Sequence, residues 1–311
     1  MRIILLLSSC LLISTGILNA QNKSIAESLG YPANAKLLIL HADDLGVAHS
    51  ENRASMSALD KNAVSSASIM VPCPWFPEIA AYASGNPGKD LGVHLTITSE
   101  WKHYKWGPVT SRDSVSSLTN KDGYFYSSVD SVATLGSAAE VEIELRNQVK
   151  KAFRSGVDVT HLDVHMGAAA STSEFVKAYL KVGREFHLPV LMDKRIHAIE
   201  DPGIRSLLDD RTIVLDKLYM EEPEDYKKGP KEFYTQVIRN MEPGLNCLLV
   251  HLAHDDEEMQ GVTKEHPDYG ATWRQADFDF VTSKECADLL KENNIKLVTW
   301  RELRDKIVRA E

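Results

Sequence analysis

Short apolar runs, most of them without polar alternation, set the strongest limit on what this chain can fold into. They cover residues 36–41, 66–71, 91–97, 159–166, 189–192, 212–215, 247–252 and 296–300. A strand that faces solvent on one side alternates, whereas a strand buried on both faces reads as a continuous apolar run, as in a parallel sheet. Helical patterns fill the gaps between the runs. Residues 137–155 carry Val141, Leu145, Val149, Ala152 and Phe153 at helical spacing. Residues 173–186 carry Phe175, Val176, Tyr179, Leu180 and Val182, and 283–293 carry Cys286, Leu289 and Leu290 behind Ser283 as an N-cap. Strands alternating with helices are βα units. Seven or eight of them in one chain predict an α/β fold of the (β/α)-barrel, TIM-like type, with a doubly wound open sheet as the competing arrangement.

The first twenty residues stand outside this rhythm. Arg2 precedes an apolar stretch over 3–18, and Asn19-Ala20 precedes Gln21. A basic start, an apolar centre and a small exit residue read as a signal peptide cut after Ala20. The stretch is short for a bilayer span, which needs about 20 apolar residues, so no stable membrane insertion is expected after cleavage. The expected location is periplasmic or secreted. Cleavage removes one base and no acid, moving the formal charge from −9 to −10. A chain with an acidic excess is a poor partner for nucleic acid. Cleavage also removes Cys10. Cys73, Cys247 and Cys286 remain, an odd and widely spaced set that is neither a disulfide framework nor a CxxC metal site. Residues 21–311 then form a single domain. An insertion at about 100–130 is rich in Trp, Tyr, Ser and Gly.

Four of the runs lead into or contain acids and histidines. The first ends in His41-Ala42-Asp43-Asp44-Leu45-Gly46. Adjacent residues on an extended chain point to opposite sides, so the two acids should have different partners. One can hold a metal while the other stays free as a base. The second run places His94 inside Gly92-Val93-His94-Leu95-Thr96. The third, Thr160-His161-Leu162-Asp163-Val164-His165, alternates His161, Asp163 and His165 with apolar residues, which puts all three on one face of a strand. Three polar groups facing a core need a metal or a solvent-filled site to explain them. The fourth gives Val250-His251-Leu252-Ala253-His254-Asp255.

In a parallel barrel the C-terminal strand ends converge on one rim. Asp44, His94 and either His161 or His165 then make a two-histidine, one-carboxylate set with positions open for water and substrate. A metal there acidifies bound water and polarises a carbonyl oxygen. Asp43 is placed to take the proton from that water. A protonated His251 could donate to a leaving nitrogen or support the oxyanion. The chemistry is metal-assisted hydrolysis of an amide or ester.

At these residues the chain resembles the YdjC-like (ChbG/HpnK) carbohydrate deacetylases. The resemblance runs from His41-Ala42-Asp43-Asp44-Leu45-Gly46 to Leu249-Val250-His251-Leu252 and covers most of the chain after the leader. It implies a barrel related to polysaccharide deacetylases, one divalent metal ion, magnesium or zinc, and removal of N-acetyl groups from amino sugars or chitooligosaccharides. It implies Asp43 as general base, Asp44, His94 and His165 as metal ligands, and His251 near the acyl group or leaving amine. His161, Asp163, Trp273, Arg274 and His254 are further substrate or supporting candidates, with Arg274 placed either to anchor an acidic group or to orient Asp43. The chain departs from the family at Leu252-Ala253, where many members have Pro-Gly, and at Met166-Gly167-Ala168, where many have further histidines. Aromatics of the 100–130 insertion either stack on sugar rings or pack the loop onto the body. An acetyl-ester or other small-amide hydrolase and a non-catalytic sugar-binding barrel are the competing functions. Keeping both Asp43 and Asp44 stands against the last, since binding alone needs no spare base. A homodimer stays open.

Overall fold

The computed structural model describes residues 23–310. The apolar leader and the cut after Ala20 lie outside the described residues. Seven strands form one parallel sheet: β1 (Lys36–Leu45), β2 (Ser66–Ile69), β3 (Leu91–Leu95), β4 (Val159–Val164), β5 (Lys217–Met220), β6 (Gly244–His251) and β7 (Ile295–Leu297). The order is β4-β3-β2-β1-β6-β5. The first residues of β1 pair with β7, while from His41 onward the same edge pairs with β2. Its other edge pairs with β6 from Lys36 to Asp43. β1 is therefore enclosed on both edges, and its burial is nearly complete, which is why it carries no alternation.

Two apolar runs, 189–192 and 212–215, are not regular strands. Each contributes a single parallel bridge, Leu162 with Val190 and Asp193 with Leu215, and these carry the ladder round from β4 towards β5. β5 itself, absent from the list of runs, is half-exposed along its length and so lacks the apolar signature. The helices match the sequence closely. Ala138–Arg154, Ser173–Glu185 and Lys284–Glu292 follow β3, β4 and β6, and the Ser283 side chain accepts from the Cys286 N–H as the N-cap. Buried Gln148 docks the first of these onto the end of β3. Its Oε1 accepts from Thr96 N (3.0 Å) and its Nε2 donates to Thr96 O (2.6 Å).

The 100–130 segment packs onto the body. Trp101, Trp106 and Phe125 are buried. Trp106 Nε1 donates to Thr98 O, and Tyr104 Oη donates to Val47 O. The carboxylate of Glu144 accepts from the N–H groups of Val109 and Thr110. Of the two readings of these aromatics, packing holds for Trp106 and Phe125, and only Trp101 reaches the cleft described below. Cys73, Cys247 and Cys286 are free and buried. No helix among the described residues is long and apolar enough to cross a membrane.

Candidate metal centre

A cleft of about 900 Å³ opens at the C-terminal strand ends, and Asp43, Asp44, His94, Glu100, His165 and His251 are among the residues that line it. β1 reaches it through Asp43 and then departs from extended geometry. Asp44 has φ +70° and Gly46 φ +94°, the left-handed region that Asp and Gly tolerate best. The two acids do have different partners, as their adjacency predicts, but the turn brings both to the same imidazole. Asp44 Oδ1 lies 3.3 Å from His94 Nε2, and Asp43 Oδ1 lies 4.0 Å from His94 Nδ1.

Asp44, His94 and His165 bring one donor atom each to a common point. Asp44 Oδ1 is 3.2 Å from His165 Nδ1, and His165 Nδ1 is 3.3 Å from His94 Nε2. The other nitrogen of each ring is committed elsewhere. His94 Nδ1 donates to Asp163 Oδ1 at 2.9 Å, and His165 Nε2 donates to Glu100 Oε2 at 3.0 Å. An ionised carboxylate only accepts, so in the neutral ring each of these nitrogens carries the hydrogen. The nitrogens left over present lone pairs, and they face each other and a carboxylate oxygen that is buried with no hydrogen-bond partner. Three converging lone pairs repel unless a positive charge lies between them. Histidines oriented by carboxylates on their outer nitrogens are the usual support of a metal site. Protons are the alternative occupant. Burial lowers the pKa of His165, but Glu100 and Asp44 more than offset this and raise it to about 9.

Arg274 is buried, not at the surface. It bonds Asp44 Oδ2 at 2.7 Å and Glu51 Oε2 at 2.8 Å. The expectation that it orients Asp43 is corrected, because its two ends are taken by Asp44 and Glu51. Although burial opposes ionisation of Asp44, Arg274 and the two histidines hold its carboxyl well below the usual range.

A second polar cluster lies beneath the first. His41 Nε2 donates to Asp163 Oδ2 (2.9 Å) and Asp43 Oδ1 (3.0 Å), and its Nδ1 donates to Ser66 Oγ (3.0 Å), whose own proton goes to Asp90 Oδ1 (2.5 Å). With both nitrogens donating, His41 is an imidazolium, and its acidic neighbours raise its pKa to about 9 against burial. Ser68 Oγ lies between Asp163 (2.8 Å) and Asp43 (3.3 Å).

His161 belongs to this lower layer, and it is His165 that stands with Asp44 and His94. Its Nδ1 contacts Thr160 Oγ1 at 2.9 Å and its ring stacks on Trp300. The lack of a side chain at Gly92 makes room for it, since a Cβ there would lie 2.4 Å from the ring. Asp163 faces the same interior and links the two layers. His165 is not on the strand but begins the turn after β4, where Met166 and Gly167 both have positive φ.

His251 lines the cleft with its ring 5.0 Å from Tyr269, and its backbone N–H donates to Asp277. Burial lowers its pKa to about 4, which favours the neutral ring. Trp273 and His254 are not part of the cleft lining. Trp273 is buried between Tyr226 and Tyr269, and the ring of His254 sits edge-on to Phe278. Sequence reasoning missed Glu100, Glu51, His41 and Ser68. Only His41 carried a signal, as a polar residue inside an apolar run.

A family model described as YdjC-like protein matches residues 37–292. The chain belongs to the YdjC-like family. A carbohydrate deacetylase of Thermus thermophilus is 31% identical over 293 residues, spanning 91% of this chain and 99% of that one. A carbohydrate deacetylase of Thermoanaerobacter pseudethanolicus is 25% identical over 268 residues, 85% and 98% of the two chains. The crystal structure of a candidate cellobiose-phosphate cleavage protein from Enterococcus faecalis superposes with a TM-score of 0.72 at 22% identity, over 86% of this chain and 99% of that one. That likeness bears on the fold alone, a parallel sheet with its helices.

Proposed function

We propose that this YdjC-like protein is a metal-dependent carbohydrate deacetylase that removes N-acetyl groups from amino sugars or chitooligosaccharides. The observation that carries the reading is the convergence of Asp44 Oδ1, His94 Nε2 and His165 Nδ1, a site that fits one divalent cation, with a second carboxylate, Asp43, beside it in the same cleft. The activity named for the two relatives agrees with it. A nitrogen-rich, mixed set of this kind accepts zinc or magnesium among other ions.

A bound divalent ion supplies charge to polarise the acetyl carbonyl and acidify a water. Asp43 would take the proton from the attacking water. His41 and Ser68 fix its Oδ1, leaving Oδ2 for the transfer. Neutral His251, the register neighbour of Asp43 across β1 and β6, lines the cleft beside Tyr269 and passes to the leaving amine the proton that Asp43 has taken. Glu100 and Asp163 hold the two histidine rings in place. The apolar leader supports export to the periplasm or beyond.

The deciding experiment incubates ion-loaded protein with N-acetylglucosamine, N-acetylated oligosaccharides and acetyl esters and measures acetate. Release from the N-acetylated sugars is expected, and release must disappear on chelation. Release from esters alone would replace the amide reading. Binding of sugar with no release would replace catalysis.

A further inference from the structure

Arg274 and Glu51 are buried beside the proposed ion site, yet neither takes part in the reaction just described. Arg274 comes from the helix Ala271–Val281 and Glu51 from the helix His49–Asp60. All three guanidinium nitrogens donate. Nη2 donates to Asp44 Oδ2, Nη1 to Glu51 Oε2, and Nε to the carbonyl of Tyr269, each within 2.8 Å. The ring of Trp101 packs against it, 5.6 Å from centroid to guanidinium carbon. This divides the two oxygens of Asp44. Oδ2 is held by Arg274, and Oδ1 is left without a donor, aimed at the histidine lone pairs. A fixed positive charge therefore stands one carboxylate away from where a cation would sit. Like charges at that range repel strongly where water is excluded.

We propose that Arg274 is a positioning residue that aims Asp44 Oδ1 at the ion and, through its charge, lowers the affinity of the site for divalent cations. Glu51 holds it there. The proposal rests on Asp44, His94 and His165 being the ligands. The expected effect has an unusual sign: removing a buried contact tightens binding. Arg274→Gln keeps an amide donor for Asp44 and removes the charge, so Mn2+ and Zn2+ should bind about tenfold more tightly or better. Arg274→Lys keeps the charge but loses the planar fork that spans Asp44 and Glu51, so it should bind no more tightly than the parent. The paired variant Arg274→Gln with Glu51→Gln leaves no unpaired charge behind, guarding against a fold defect, and should also bind more tightly.

The test titrates chelator-stripped full chain with Mn2+ and Zn2+ against a chromophoric competitor, with circular dichroism reporting the fold. A purely structural Arg274 predicts weaker or unchanged binding in the folded glutamine variants, and either result overturns the proposal, as does a parent chain that binds neither ion. The readout is independent of acetate. Tighter binding in the glutamine variants without acetate release from the parent would uphold this inference and remove the deacetylase reading.

Discussion

Two clusters of histidine and aspartate sit one above the other in the barrel interior, and they are alike in composition and burial. Asp44, His94 and His165 form the upper one, and His41, His161 and Asp163 the lower; both bring three ligand-type atoms close together. The difference lies in hydrogen bonding. In the lower cluster His41 donates from both nitrogens to groups that accept, and Ser66 passes its proton on to Asp90, which also accepts from Thr160 and the Arg301 N–H. In the upper cluster His94 Nε2 and His165 Nδ1 face each other and Asp44 Oδ1, which has no hydrogen-bond partner of its own. Around His41 the lower set is balanced by the protein's own protons, with the neutral His161 Nε2 unpartnered at its edge, while in the upper set the unpartnered atom is a carboxylate oxygen facing two histidine nitrogens, a charge that a cation or the histidines' protons must offset. Residue type alone does not separate a metal centre from a buried polar network, but the direction of each hydrogen bond does.

The comparison breaks most visibly at His94. His94→Ala should lose the bound ion and fall to background activity, and elemental analysis showing unchanged metal would remove the upper cluster as the site. Asp43→Asn comes next. Its ion content should stay at the parent level while kcat drops by about 10²–10⁴, and a variant with normal turnover would exclude Asp43 as base. The third effect is on pH. The acids around His165 and His94 raise both rings, His165 to about 9, so in the ion-free protein a cation must displace at least one proton. Apparent affinity should therefore rise by about tenfold per unit or more between roughly pH 6 and 8, and a flat profile in a titration series would show that the nitrogens are already free. The smallest effect belongs to the lower cluster. Ser66→Ala leaves His41 Nδ1 without its acceptor and should destabilise the fold by about 1–3 kcal/mol, read by denaturant melts. Ion affinity should move less than about threefold, and a larger loss would mean the two layers are not separable.

Much of this was legible in the chain. The apolar runs located six of the seven strands, and the four motifs located Asp43, Asp44, His94, His165 and His251 because strand ends converge in a parallel fold. What escaped detection did so for physical reasons. Glu51 is an ordinary-looking acid on the helix after β1, and its burial arises only when Arg274 arrives from far along the sequence. Glu100 sits in irregular backbone after β3, where no periodicity says which way a side chain points. The lower position of His161 depends on Gly92 in the neighbouring strand, a fact about cross-strand packing. The left-handed turn at Asp44 defeated the simple alternation rule at the one position where it mattered most.

The aromatic packing of the 100–130 segment gives the molecule a built-in optical gauge. The indole of Trp106 stands edge-on to His165 with 6.3 Å between ring centres, and Trp101 lies against both Trp106 and Arg274. A quenching ion such as Cu2+ or Co2+ held by His165 would dim the emission of these two indoles in proportion to occupancy, so loading and exchange can be followed in real time with no label attached.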